Sequence, residues 1–178
     1  LVLCGRELFA ADQKLMELAE KLYTEKKYDE AIEISKQLLK KEPASDIVNY
    51  NTGKIYYRDG KYEDAIKFFT QALSTDNIIV ERDALLGIGN CYYRMSEKDE
   101  MADLRKSHSL SEEAYTYFVR AVRVDPDDKL AKYNCEISFY RREELRKRMG
   151  AARQTPPVGK RGRSSKNEKK EKKNQEDK

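Results

Sequence analysis

Glycine and proline are scarce in this chain of 178 residues, with eight of one and four of the other. Turn-rich β architectures draw heavily on both, so the shortage favours helices. Histidine occurs once, at His108, and no Ser/His/Asp or Cys/His relay can be assembled elsewhere. Neither a glycine-rich phosphate loop nor a cluster with metal-ligand spacing is present. The sequence therefore gives no reason to expect catalytic residues, a bound metal or a cofactor. Its many carboxylates read as solubilising partners on helix faces. The three cysteines, Cys4, Cys91 and Cys135, are odd in number and show no CxxC spacing, which speaks against a disulfide framework or a zinc site. Cys91 and Cys135 fall among apolar neighbours, where a free thiol acts as a small core hydrophobe. No stretch approaches the roughly 18 apolar residues of a membrane-spanning helix.

Charge is plentiful instead. Asp, Glu, Lys and Arg make up 38% of the chain, with a net charge of +4. From Gly150 onward there are ten Lys/Arg against four Asp/Glu, so the basicity sits in the tail and the body is nearly balanced. The tail has almost no apolar residues to bury and is expected to be disordered over 150–178. Nucleic acid or acidic lipid could be drawn to it. Its interspersed Glu168, Glu171, Glu176 and Asp177, and its lack of an aromatic to stack on a base, make that the secondary reading.

The body repeats itself. "YDEAIEISKQLLKKEP" (Tyr28–Pro43) realigns with "YEDAIKFFTQALSTDN" (Tyr62–Asn77) at a shift of 34, and again with "LSEEAYTYFVRAVRVDP" (Leu110–Pro126). Ala31, Ala65 and Ala114 coincide, as do Ser35, Phe69 and Phe118, then Leu38, Ala72 and Ala121. Pro43, Asn77 and Pro126 close the blocks. Upstream of each block lies a second helical segment, and these align on Ala19, Gly53 and Gly89, with Leu22, Tyr56 and Tyr92 three residues on. Small residues at those places let two helices approach, a larger one fills the seam, and proline stops the second helix. This pattern resembles the tetratricopeptide repeat, a 34-residue helix–turn–helix unit.

The resemblance implies an all-α fold: a right-handed α-solenoid of three helix hairpins over about 12–45, 46–79 and 82–127, a capping helix over 128–149 and the disordered basic tail. Three departures stand out. Asn49 replaces a large apolar residue, so the second repeat should be less firmly packed at its start. Asn77 replaces the closing proline. About 13 extra residues around 96–108 predict a prolonged first helix or an added helical turn packed lightly on the body, with Met101 and Leu104 on one face, or else a mobile solvated loop. In the capping helix, Leu130, Tyr133, Asn134 and Ile137 are expected to face the body, with Asp127 or Asp128 capping its start.

Tyrosine followed by arginine keeps returning: "IYYR" at Ile55–Arg58, "CYYR" at Cys91–Arg94 and "FYRR" at Phe139–Arg142. In the resembled family the first helices of each pair line a concave groove. Tyr56 and Tyr92 then belong to the seam. Tyr57 and Tyr93 lie about 100° further round and should face the groove beside Arg58 and Arg94. Tyr140 and Arg141 repeat the doublet in the capping helix, and Tyr23 matches in the first repeat, where Thr24 replaces the arginine. Tyr50, Asn51, Lys54, Asn90, Tyr133 and Asn134 fall on the same expected face. Tyr and Arg are enriched where proteins grip one another, and asparagine can satisfy the backbone of an extended peptide. A protein-interaction scaffold that binds a peptide or partner segment is the expected function, with self-association a further open partner. In the branch of the family that grips a C-terminal carboxylate, a basic residue and an amide are wanted where this chain has Met16 and Glu20, so a chaperone-tail adaptor of that type is disfavoured.

Two regions bear on location. The start, "LVLCGRELFAAD", could be a leader remnant or an N-terminal extension over 1–11. The segment "RAVRVDPDDKLAKYNCEISFYRREEL" resembles the close of bacterial tetratricopeptide proteins from aerotolerance (Bat) operons. That resemblance implies a periplasmic or envelope-associated scaffold; without a leader the cytoplasm is expected.

Overall fold

The computed structural model describes the backbone of residues 2–154 and the side chains of residues 12–152. Among the described residues there are seven helices and no strand: α1 (Val2–Thr24), α2 (Tyr28–Lys41), α3 (Asp46–Arg58), α4 (Tyr62–Ala72), α5 (Ile78–Asp99), α6 (Leu104–Val124) and α7 (Lys129–Gln154). Each helix packs on the next, as α1–α2, α3–α4 and α5–α6 hairpins closed by α7. None is long and apolar enough to cross a membrane. Residues 2–11 continue α1, and α7 runs past Gly150, where the tail was expected to start. The rest of that basic tail lies outside the described residues.

The hairpins close over their small residues. Ala31, Ala65, Ala114 and Ala121 are fully buried, and Phe69 and Phe118 are the largest buried side chains. A Cβ on Gly53 would come within 2.7 Å of the Phe69 ring, and one on Gly87 would meet the same ring at 2.7 Å from the neighbouring hairpin. One phenyl is thus gripped between α3 and α5, and it links the second repeat to the third. On the seam side, Tyr56 stacks on Phe68 at 5.1 Å and Tyr92 on Tyr117 at 5.7 Å. The turns repeat as well. Gly60 adopts a left-handed φ of 76° before α4, and Lys26 takes φ 61° at the same place before α2. Glycine accepts that conformation at little steric cost; lysine does not.

Three expectations change. Asn49 does not loosen the second repeat. It is buried, and its amide donates to the carbonyls of Ser45 at 2.8 Å and Pro43 at 3.1 Å, which pins the α2–α3 connection. Asn77 gains a role where proline is lost: its side chain accepts from Ile79 and Val80 N–H and caps α5. The inserted residues prolong the first helix, one of the expected outcomes, and form neither a lightly packed added turn nor a mobile loop. They lengthen both α5 and α6 around a short connection, with Asp103 capping α6. Ser96 and Ser107, both fully buried, exchange hydroxyl-to-carbonyl hydrogen bonds of 2.8 Å across the new interface. Met101 belongs to the connection and is 93% exposed, so it shares no packed face with Leu104.

The capping helix docks only in part on the expected residues: Asn134 faces the body and Ile137 is half-buried, but Leu130 and Tyr133 do not pack there. Its buried stripe is Ala131, Asn134, Ser138 and Leu145, whereas Leu130 and Tyr133 are exposed. Asp128 caps it by accepting from Ala131 N–H at 2.7 Å. Arg82, from the start of α5, reaches Asp125 at 2.9 Å and Asp128 at 3.2 Å and holds the α6–α7 connection against the third hairpin.

Candidate functional site

The first helices of the hairpins, α1, α3 and α5, wall a groove with two adjoining cavities, each of about 270 Å³. Spacing of three and four residues on α3 brings Tyr50, Lys54, Tyr57 and Arg58 to one side of that helix. These four line the second cavity together with Tyr23 from α1 and Asn90 from α5. Asn51 lies in the first cavity, which shares Tyr23 and Lys54. Seven of the residues expected at a binding face are therefore brought together. Phe69, Asp83, Leu86, Gly87 and Leu130 complete the second cavity and were not foreseen there.

Lys54 stands over two rings, 5.6 Å from the centroid of Tyr23 and 5.5 Å from that of Tyr50. Burial, with Asp83 nearby, pushes the Tyr50 phenol up to about 12, so this ring stays a neutral donor at any physiological pH. Asp83 is itself engaged by Arg82 at 2.8 Å. Among the described residues no carboxylate forms an ion pair with Lys54 or Arg58. The second cavity thus offers two cations and three tyrosines, and its one acid, Asp83, shares the Arg82 guanidinium with Asp125 and Asp128.

The recurrent doublets have a geometry that the sequence did not disclose. Each arginine reaches back to the tyrosine of the preceding repeat. Arg58 donates from Nε to the Tyr23 hydroxyl at 3.0 Å. Arg94 pairs with Glu97 at 2.9 Å, and the Tyr57 hydroxyl nearby joins Glu97 in raising its pKa. Arg141 lies 5.4 Å from the Tyr93 ring centroid. The doublet is a rung between repeats before it is anything else. Thr24 takes the arginine's place in the first repeat.

The rungs differ in what else they touch. Glu97 pairs with Arg94 at 2.9 Å. Arg141 is bound to Glu100 at 3.0 Å and to the Ser96 hydroxyl at 3.2 Å. Among the described residues, only the first rung, Arg58, is unquenched by a carboxylate. Tyr93 is half-buried beside Arg141, Asn134 is buried at 7% exposure, and Tyr133 and Tyr140 are exposed at the last helix, where Tyr140 packs edge-on against Phe139. The structure does not bring these last residues into the cavities. Asn134 belongs to the docking stripe of α7 and not to an open face.

Residues 22–77 match the profile of the family described as Tetratricopeptide repeat. Among solved structures, the Arabidopsis OM64 TPR domain aligns with 78% of this chain and 96% of its own at 19% identity, with a TM-score of 0.57. The fold is that of a tetratricopeptide-repeat (TPR) solenoid. The first TPR of Spaghetti (RPAP3), bound to an HSP90 peptide, aligns over 72% of this chain and 90% of its own at 19% identity, TM-score 0.59. The second TPR domain of human RPAP3, in complex with an HSP70 peptide, aligns over 70% and 91% at 22% identity, TM-score 0.55. No curated protein matches the chain. In TPR terms, the two cavities lie on the walls made by the first helix of each repeat.

Proposed function

We propose that this TPR solenoid is a protein-interaction scaffold that captures a segment of another protein in the groove between α1, α3 and α5. The observation that carries this reading is the second cavity. Half-buried tyrosines, an amide and two cations without carboxylate partners among the described residues converge there from three successive hairpins. Such a surface combines aromatic contact area with charge-assisted donors, the combination that concentrates binding energy at interfaces. Peptides held by two solved TPR structures of the same fold support the mode. The identity of the segment is a separate matter, because Met16 and Glu20 stand where a C-terminal carboxylate clamp wants a basic residue and an amide. The finer reading, a scaffold in a bacterial envelope complex, rests on the Arg120–Leu145 segment alone.

Asn51 and Asn90 lie on the groove and outside the core, so they can carry bulk without emptying a packed seam. Asn51→Trp with Asn90→Trp should leave the helical signal intact and remove the partners that the unaltered chain captures from its native source. Recovery of the same partners at the same strength would place binding elsewhere on the molecule.

A further inference from the structure

The first cavity exists because one plug is missing. In the second and third hairpins Phe69 and Phe118 fill the space between the two helices and the tight-packing glycine. At the same register the first hairpin has Ser35, and the small residue facing it is Ala19. Both line the 270 Å³ cavity, whose floor is completed by Leu38, Val48 and Ile55. The floor is apolar, and the volume suits one large side chain but falls below the usual range for a drug-sized ligand. A void of this kind forfeits the dispersion contacts that a phenyl supplies in the other two repeats.

Its neighbour has the opposite character. Moving along the groove toward α5, the next groups are Lys54 and Arg58, two cations with no carboxylate ion pair among the described residues, while the equivalent arginines of the later repeats are quenched by Glu97 and Glu100. We infer that the first hairpin is a receptor for a two-part motif on a partner segment: one large apolar side chain seated in the space beside Ser35, followed toward α5 by a side-chain carboxylate between Lys54 and Arg58. The inference rests on the groove reading and specifies the chemistry of its occupant. The apolar part contributes burial and the carboxylate sets direction along the groove. The rim of the first cavity supports this polarity, because Glu17 and Glu20 stand there on α1 and would repel an acidic group placed on that side.

The test uses a library of random dodecamer peptides, displayed with no free C-terminus and selected on the full chain. Selected sequences should pair a Phe, Leu, Tyr or Trp with an Asp or Glu. Synthesised with both ends capped, they should lose about tenfold or more in affinity when the apolar residue becomes Ala. Filling the cavity by Ser35→Leu should cost a similar factor while raising Tm, because the same void is closed from within. If leucine overpacks against Ala19, the pair Ala19→Gly and Ser35→Phe restores the arrangement of the other hairpins and serves the same purpose. Lys54→Gln should weaken binding severalfold and flatten its dependence on salt. Capped peptides that are blocked by Asn51→Trp with Asn90→Trp, yet are indifferent to Ser35→Leu and Lys54→Gln, would overturn this inference and leave the groove reading standing. Peptides indifferent to the tryptophan pair, or none selected, would overturn both.

Discussion

Arg58, Arg94 and Arg141 show how a single residue type can carry two duties in a repeat protein. Each lies beside a tyrosine of the hairpin before it, and among the described residues only Arg58 has no acid partner. The last two rungs are thereby committed to holding repeats in register, and the first keeps charge for a ligand. Cys91 makes a separate statement at the same scale. It is fully buried, and burial pushes its thiol up to about 12 from an ordinary value of 9.0. A thiol raised on folding stays protonated where the unfolded chain would ionise it. Its contribution is complete below pH 9 and is lost as pH climbs from about 9 toward 12. Thermal unfolding followed between pH 8 and 11 should therefore show a steeper fall for the native chain than for Cys91→Ala, by up to about 1.4 kcal/mol per pH unit. Parallel curves would mean that the thiol is more open to solvent than its packing indicates.

At the scale of elements, helix pairing depends on a few tight approaches. Phe69 is held by Gly53 on one side and Gly87 on the other, each at 2.7 Å from where a Cβ would stand, so the ring cannot retreat from either. Alanine at position 53 would gain up to about 1 kcal/mol in helix propensity and lose about 1–3 kcal/mol to overpacking. With the ring held from both sides the steric loss dominates, and Gly53→Ala should destabilise the fold by up to about 2 kcal/mol, seen as a lower midpoint of urea unfolding. An unchanged midpoint would show that the hairpins separate more easily than this geometry allows. The coincidence of Ala19, Gly53 and Gly89, and of Ala31, Ala65 and Ala114, made these pairings legible in the sequence, because a steric requirement at a fixed spacing leaves the same residue type each time. The third hairpin was less legible. Helix propensity favoured helix in the insertion, but the sequence held no sign that Ser96 and Ser107 would seal two lengthened helices against each other. Hydrogen bonds between buried serines depend on a register that only packing sets.

For the whole molecule, the groove was readable in outline because three-and-four spacing on α3 fixes which residues share a face. The arrangement at the C-terminal end was not. Tyr133 and Tyr140 occupy the expected places in the repeat pattern, yet no hairpin follows α7 among the described residues to build the far wall of a cavity around them. Ser35 was aligned with Phe69 and Phe118 in the sequence, but a small residue in a plug position announces a void only when its neighbours are known not to collapse into it. Together these features give the solenoid a direction: an open, cationic and partly hollow first half, and a second half sealed by Arg82, Arg141 and the paired serines.

The central claim is that a partner lies along α1, α3 and α5, and site-specific photocrosslinking in the native source tests it most directly. A benzophenone side chain at Asn51 or Asn90 should crosslink a partner, whereas the same group at Lys36 or Lys67, exposed on the second helices α2 and α4, should not. Crosslinks confined to the second helices would contradict the account.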